Sequence, residues 1–168
     1  MTMAQPVDLF LREMGEVLYT ELRLLELLPR MEREATDPDL RAAFSRHARE
    51  TEGQVKALER AFGLVDEEPL AVECATGDAL VRDHDALVGQ DLPPGLRDLG
   101  LAGAALKAEH WEIGAYRSLV GQAETLGEVE LADALRGNME QEQAMAAAAE
   151  ELGRRLASGS EDAGGQFI

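Results

Sequence analysis

Four times along this chain, apolar residues recur at spacings of three and four, and each time a carboxylate breaks the run or flanks it near the midpoint. The first run is Phe10, Met14, Val17, Glu21, Leu24, Leu28 and Met31. The second is Leu40, Phe44, His47, Thr51, Val55, Leu58 and Phe62, with Glu50 and Gln54 on its flank. The third is Leu99, Ala102, Leu106, Glu109, Ile113, Tyr116, Val120 and Ala123, and the fourth is Leu131, Leu135, Met139, Glu142, Ala146, Ala149, Leu152 and Leu156. This spacing lays each set along one face of an α-helix, so the chain reads as all-α.

Local signals bound the helices. Pro29 lies near the end of the first, where a lost backbone donor is absorbed as a bend or a frayed turn. Asp37 followed by Pro38 reads as a cap and first residue of the second. Gly63 and Gly127 read as left-handed stops. Between Leu64 and Gly95 a long connection carries one shorter periodic piece, Ala75–Val88, which predicts a crossover helix and makes the second and third long helices parallel. The bundle is expected over residues 1–157. The tail 158–168, rich in glycine, serine and acid, lacks periodicity and is expected to be disordered.

Charge narrows the partners. With 33 acidic against 16 basic residues, a net charge of −17, the chain would be repelled by nucleic acid and by anionic membranes. Its apolar runs are too short to span a bilayer, and the N-terminus lacks a leader pattern, so the expected location is cytoplasmic. Cys74 stands alone and reads as a small buried residue.

Glu21, Glu50, Glu109 and Glu142 each fall close to a helix centre, so they share one level whichever way the helices point. Ionised carboxylates grouped in a dry core demand a cation or a full set of donors. The donors in view are His47, Thr51, Gln54 and Tyr116. Glu109 and Glu112, three apart, share a face, so one can terminate on a metal while the other bridges or gates. Carboxylates mixed with one or two imidazoles suit iron or manganese better than zinc. The competing reading is a buried, hydrogen-bonded polar layer without metal. His47 reads equally as ligand or core residue, His110 as an outer neighbour of the site or an interface residue, and His84 as surface. Tyr116 is placed to bond a ligand carboxylate, whereas Tyr19 and Trp111 read as packing residues ahead of electron relays.

Several strings resemble the YciE/YciF family of ferritin-like bacterial proteins: YTELRLLELLPRM from Tyr19, HARETEGQV from His47, KAEHWEIGAY from Lys107 and MEQEQ from Met139. The likeness runs from about residue 6 to 156. It implies a ferritin-like four-helix bundle with a fifth, crossover helix, usually dimeric and associated with stress responses. It also implies kinship with rubrerythrins and bacterioferritins, whose carboxylates bind a di-iron centre. Carried across, Glu21 and Glu50 would be ligands from the first and second helices, Glu109 and Glu112 the third-helix pair, and Glu142 the fourth-helix ligand. The chain departs from the Glu-x-x-His signature of such sites, because Gly53 follows Glu50 and Met145 follows Glu142 at that spacing.

Two functions follow as expectations. One is a stress-associated di-iron or di-manganese protein that oxidises ferrous iron or consumes peroxide, with Glu109 and Glu142 bridging or shifting between metals. The other is a non-catalytic homodimer, a binding or scaffold protein with a metal-free polar layer. Storage in a large cage is disfavoured, since no residues mark shell contacts.

Overall fold

The computed structural model describes residues 4–161. They form five helices: α1 Pro6–Glu34, α2 Pro38–Leu64, α3 Ala75–Val88, α4 Pro94–Leu126 and α5 Val129–Glu161. The four long helices pack in the ring order α1, α2, α5, α4, and α3 lies across α1 and α4. Side-chain pairs set the directions. Asp37 meets Arg155 at one end and Gln54 meets Glu142 midway, so α5 runs antiparallel to α2. Because α5 also turns back on α4 through Gly127, α2 and α4 are parallel, as the long crossover requires.

Helix ends follow local chemistry. The Asp37 carboxylate accepts from the backbone N–H groups of Asp39 and Leu40, each at 3.0 Å, and Pro38 opens α2. Gly127 takes φ +83°, the left-handed stop expected of it. Gly63 does not play that part: α2 continues to Leu64, and the left-handed residue is Asp66, φ 57°. Aspartate tolerates that region better than most side chains, so the turn needed no glycine. α4 starts at Pro94, ahead of Leu99, since a proline at the first helical position gives up no bond. α5 carries on beyond Ser158 to Glu161, past the expected start of the tail; residues 162–168 lie outside the described residues.

The core is two apolar clusters separated by a polar layer. One contains Phe10, Met14, Leu58, Phe62, Leu119 and Leu135. The other contains Leu28, Met31, Leu40, Phe44, Leu101 and Ala149. Leu101 and Leu119 are fully buried although neither lies on the stripe read from the sequence. α4 has neighbours in α1, α3 and α5, so its buried face is wider than one stripe. Cys74 is buried just ahead of α3, as expected.

The crossover is seated closely on α1. The N–H of Val72 donates to the carbonyl of Gly15 at 2.9 Å. A Cβ at Gly15 would lie 2.5 Å from the Leu70 carbonyl oxygen and 2.7 Å from Val72 Cγ2. The first of these is backbone and cannot swing aside. Gly15→Ala is therefore expected to cost about 1–3 kcal/mol, a fall of roughly 2–12 °C in thermal midpoint for a chain of this size. A melt within a degree of wild type would show that the strap from Leu70 to Val72 lifts freely.

His84 departs from its expected surface position. It is fully buried under α3, with Nε2 2.6 Å from Glu34 Oε2 and Nδ1 3.2 Å from Asp85 Oδ1. Flanking acids on two helices give the imidazole partners that spacing alone did not reveal. Among the described residues no helix is long and apolar enough to cross a membrane.

Candidate metal centre

The polar layer between the two clusters is built from all four long helices. α1 supplies Glu21; α2 supplies His47 and Gln54; α4 supplies Glu109, Glu112 and Tyr116; α5 supplies Asn138 and Glu142. None of these side chains is more than 4% exposed. Each lies on the buried face of its helix, so folding the apolar residues around it forces it inside.

His47 Nε2 sits 3.1 Å from Glu109 Oε1 across the bundle. The Gln54 amide donates to Glu142 Oε1. The Tyr116 hydroxyl donates to Glu21 Oε1 at 2.5 Å and accepts from Asn138 Nδ2 at 2.9 Å. Thr51, a candidate donor, instead bonds its own helix at the His47 carbonyl, 3.0 Å away.

These donors do not suffice. Glu21 Oε2, Glu109 Oε2, Glu142 Oε2, His47 Nδ1 and both oxygens of Glu112 are buried with no hydrogen-bond partner. Native interiors rarely leave such groups bare. Burial pushes the Glu142 carboxyl up to about 9, aided by Glu109, while His47 and Gln54 pull the other way. Burial likewise raises Glu21 to about 8, with Glu142 adding to it and Tyr116 opposing. Glu109 rises to about 7, chiefly by burial. Glu112 is raised well above the ordinary carboxylate value by burial and then by Glu142 and Glu21. Burial and then Glu21 hold the Tyr116 hydroxyl well above its usual range. The layer therefore lacks positive charge: either protons or a cation must fill it.

One atom each from His47, Glu109, Glu112 and Glu142 can be chosen so that all lie within 4.8 Å of one another. Bare acceptors converging in a dry core around one imidazole suit a cation of the iron and manganese class.

The six ligands expected from sequence are not equivalent. Five of them are buried together. Glu50 is only half-buried at the rim, with Oε2 buried and unpartnered and close enough to raise Glu109. The outer residues divide too. Gln54 and Tyr116 bond site carboxylates, but His110 is exposed in a groove with Arg117 and Glu150. A turn of about 100° per residue carries it off the face of Glu109. Trp111 packs partly buried against the core, and Tyr19 donates to Asp78 at 2.8 Å. Asn138 escaped the sequence reading. Its signal was its position one helical turn before Glu142, on the same face.

The fold and the site define an all-α bundle protein with a buried carboxylate–histidine cluster. Residues 5–159 match the family described as Domain of unknown function (DUF892), and the chain belongs to that family. It is 28% identical to Protein YciF of Escherichia coli (strain K12) over 147 residues, 86% of this chain and 87% of the relative. Two solved structures are similar along most of their length. YcfI from Rhodopseudomonas palustris has a TM-score of 0.86 at 28% identity, covering 88% of this chain and 94% of that one. The E. coli stress protein YciF has a TM-score of 0.89 at 25% identity, covering 93% and 99%. A protein from Xanthomonas campestris pv. campestris shares the fold, with a TM-score of 0.76 at 20% identity, covering 94% and 97%.

Proposed function

We propose that this chain is a ferritin-like, stress-associated protein that binds iron or manganese in its core and uses it to oxidise ferrous iron or consume peroxide. The observation that carries the reading is Glu112: fully buried, with no amide, hydroxyl or imidazole donor on either oxygen and other acids, Glu21 among them, against it. The stress association rests on the E. coli relative, described as a stress protein. A homodimer, through the family resemblance, and a cytoplasmic location, through the lack of a membrane-spanning run or leader pattern in the sequence, are part of the proposal.

A bound iron or manganese would supply one-electron chemistry toward oxygen or peroxide. The chain's own residues do the rest. His47, Glu109, Glu112 and Glu142 hold the ion; the apolar clusters on either side exclude bulk water. Carboxyls protonated without metal release those protons on loading. Tyr116 keeps its proton directed at Glu21, and Asn138 fixes the hydroxyl from the other side.

The metal-free layer is the second reading, favoured by the Gln54–Glu142 and Tyr116–Glu21 bonds. Glu109→Gln separates the two. Under the metal reading it weakens binding of ferrous ion by at least about 10-fold, since even outer partners of metal ligands are worth that much. It also leaves the metal-free fold as stable as wild type or more so, because a crowded buried acid is gone. Elemental analysis and a visible spectrum after adding ferrous ion in air read the first effect; melting of metal-free protein reads the second. If wild type and Glu109→Gln are alike in metal content, the proposal fails.

A further inference from the structure

Building on the metal reading, we propose that this chain holds one transition-metal ion tightly, at His47, Glu109, Glu112 and Glu142, in place of a bridged pair. Four observations converge on this.

Atoms from these four residues lie within 4.8 Å of one another. Oxygen and nitrogen ligands sit about 2.0–2.2 Å from a small divalent ion, so opposite ligands are about 4.0–4.4 Å apart. The four therefore need draw in only slightly to enclose one ion. A pair of ions about 3.5–4 Å apart needs terminal ligands beyond each end.

α2 is turned so that His47, Thr51, Gln54 and Leu58 face inward. Glu50 lies at the rim and Gly53 is exposed. A Cβ at Gly53 would meet nothing within 4 Å. A side chain there would leave the bundle, so that helix presents its imidazole from His47 alone.

On α5 the corresponding place, one turn past Glu142, is Met145, a buried thioether that suits hard carboxylate-bound ions poorly. Among the described residues no second imidazole completes the far side.

Two carboxylates are outside the group of four, Glu50 at the rim and Glu21 in the core. Glu21 has a partner of its own. Tyr116 bonds its Oε1, and Asn138 in turn fixes Tyr116. Asn138 Nδ2 also reaches the Gln54 carbonyl at 3.3 Å, tying that side of the layer to α2 and α5. One Glu21 oxygen is thereby taken and its Oε2 alone stays bare, whereas the His47 side has bare oxygens on Glu109, Glu112 and Glu142.

The test uses the full chain and manganous ion. After reconstitution and desalting, wild type is expected to retain one Mn²⁺ per chain, with the electron paramagnetic resonance spectrum of an isolated ion. His47→Gln should weaken retention at least 10-fold, and Glu21→Gln should still retain one ion. Melting and circular dichroism of each variant establish that it is folded; Glu112→Gln replaces His47→Gln should the latter not fold. Two retained ions with an exchange-coupled spectrum would overturn the single-ion site while leaving the metal reading standing. Loss of the ion in Glu21→Gln to the same extent as in His47→Gln would also overturn it. No retained ion in wild type would instead overturn the metal reading itself.

Discussion

Loading with ferrous or manganous ion raises the thermal midpoint of this protein by about 8–16 °C when free ion is a thousand times its dissociation constant. A ligand that binds only the folded state then adds about 4 kcal/mol. For a chain of this size each kcal/mol shifts the midpoint by roughly 2–4 °C. The unfolded chain offers the ion no equivalent site, since the ligands come from α2, α4 and α5 and meet only when the bundle closes. The gain is also local in origin: the ion supplies the positive charge missing among Glu109, Glu112 and Glu142, all buried and all raised above the ordinary carboxylate range. Calorimetry with and without ion, followed by chelation, measures it. An unchanged midpoint, with less than about a tenth of an ion per chain after reconstitution, would refute the proposed function.

The second large effect is the pH dependence of the metal-free protein, which should lose stability as pH rises. Glu109, Glu21 and Glu142 titrate at about 7, 8 and 9 in the fold, against an ordinary value of 4.5. Between these values the folded chain holds protons that the unfolded chain has lost. Stability rises with pH only where the unfolded state binds more protons, so here the sign is reversed. The contribution is complete below about pH 4.5 and is lost progressively as pH climbs through the folded values. Each carboxyl protonated only in the fold costs about 1.4 kcal/mol per pH unit across its window. Loaded protein should behave oppositely in binding: metal displaces those protons, so affinity increases with pH. Denaturant melts at pH 5, 7 and 9 on chelated protein test the first statement. Equal stability at all three would mean that donors, not protons, satisfy the carboxylates.

The fold was legible in the sequence because burial and helical periodicity are the same signal. Phe10 through Met31 could not alternate by three and four without forming one face, and Ala75–Val88 emerged as the crossover helix with its observed bounds. Caps such as Asp37–Pro38 are equally local. The misreadings fall where a neighbour decides. Gly63 looked like a stop, but the turn placed its left-handed residue at Asp66. His84 looked exposed because its partner Glu34 is remote in sequence. Leu101 and Leu119 missed the stripe because three helices, not two, surround α4.

The site divides the same way. That acids would be buried at one level followed from Glu21, Glu109 and Glu142 each breaking an apolar run near its centre. Which acids converge did not follow, since a helix can rotate by a fraction of a turn and keep its apolar face inside. That rotation moves Glu50 to the rim and brings His47 to Glu109.

By itself the sequence determined an all-α chain, its crossover and a core split by charge, because those depend on periodicity along one helix at a time. Only the tertiary structure decided that His47, Glu109, Glu112 and Glu142 form one group, that Tyr116, fixed by Asn138, bonds Glu21, and that His110 faces outward. The physical reason is that coordination depends on the relative rotation and offset of different helices. Those are set by how Leu, Phe and Ala side chains interlock across the bundle, and no spacing along a single helix encodes them.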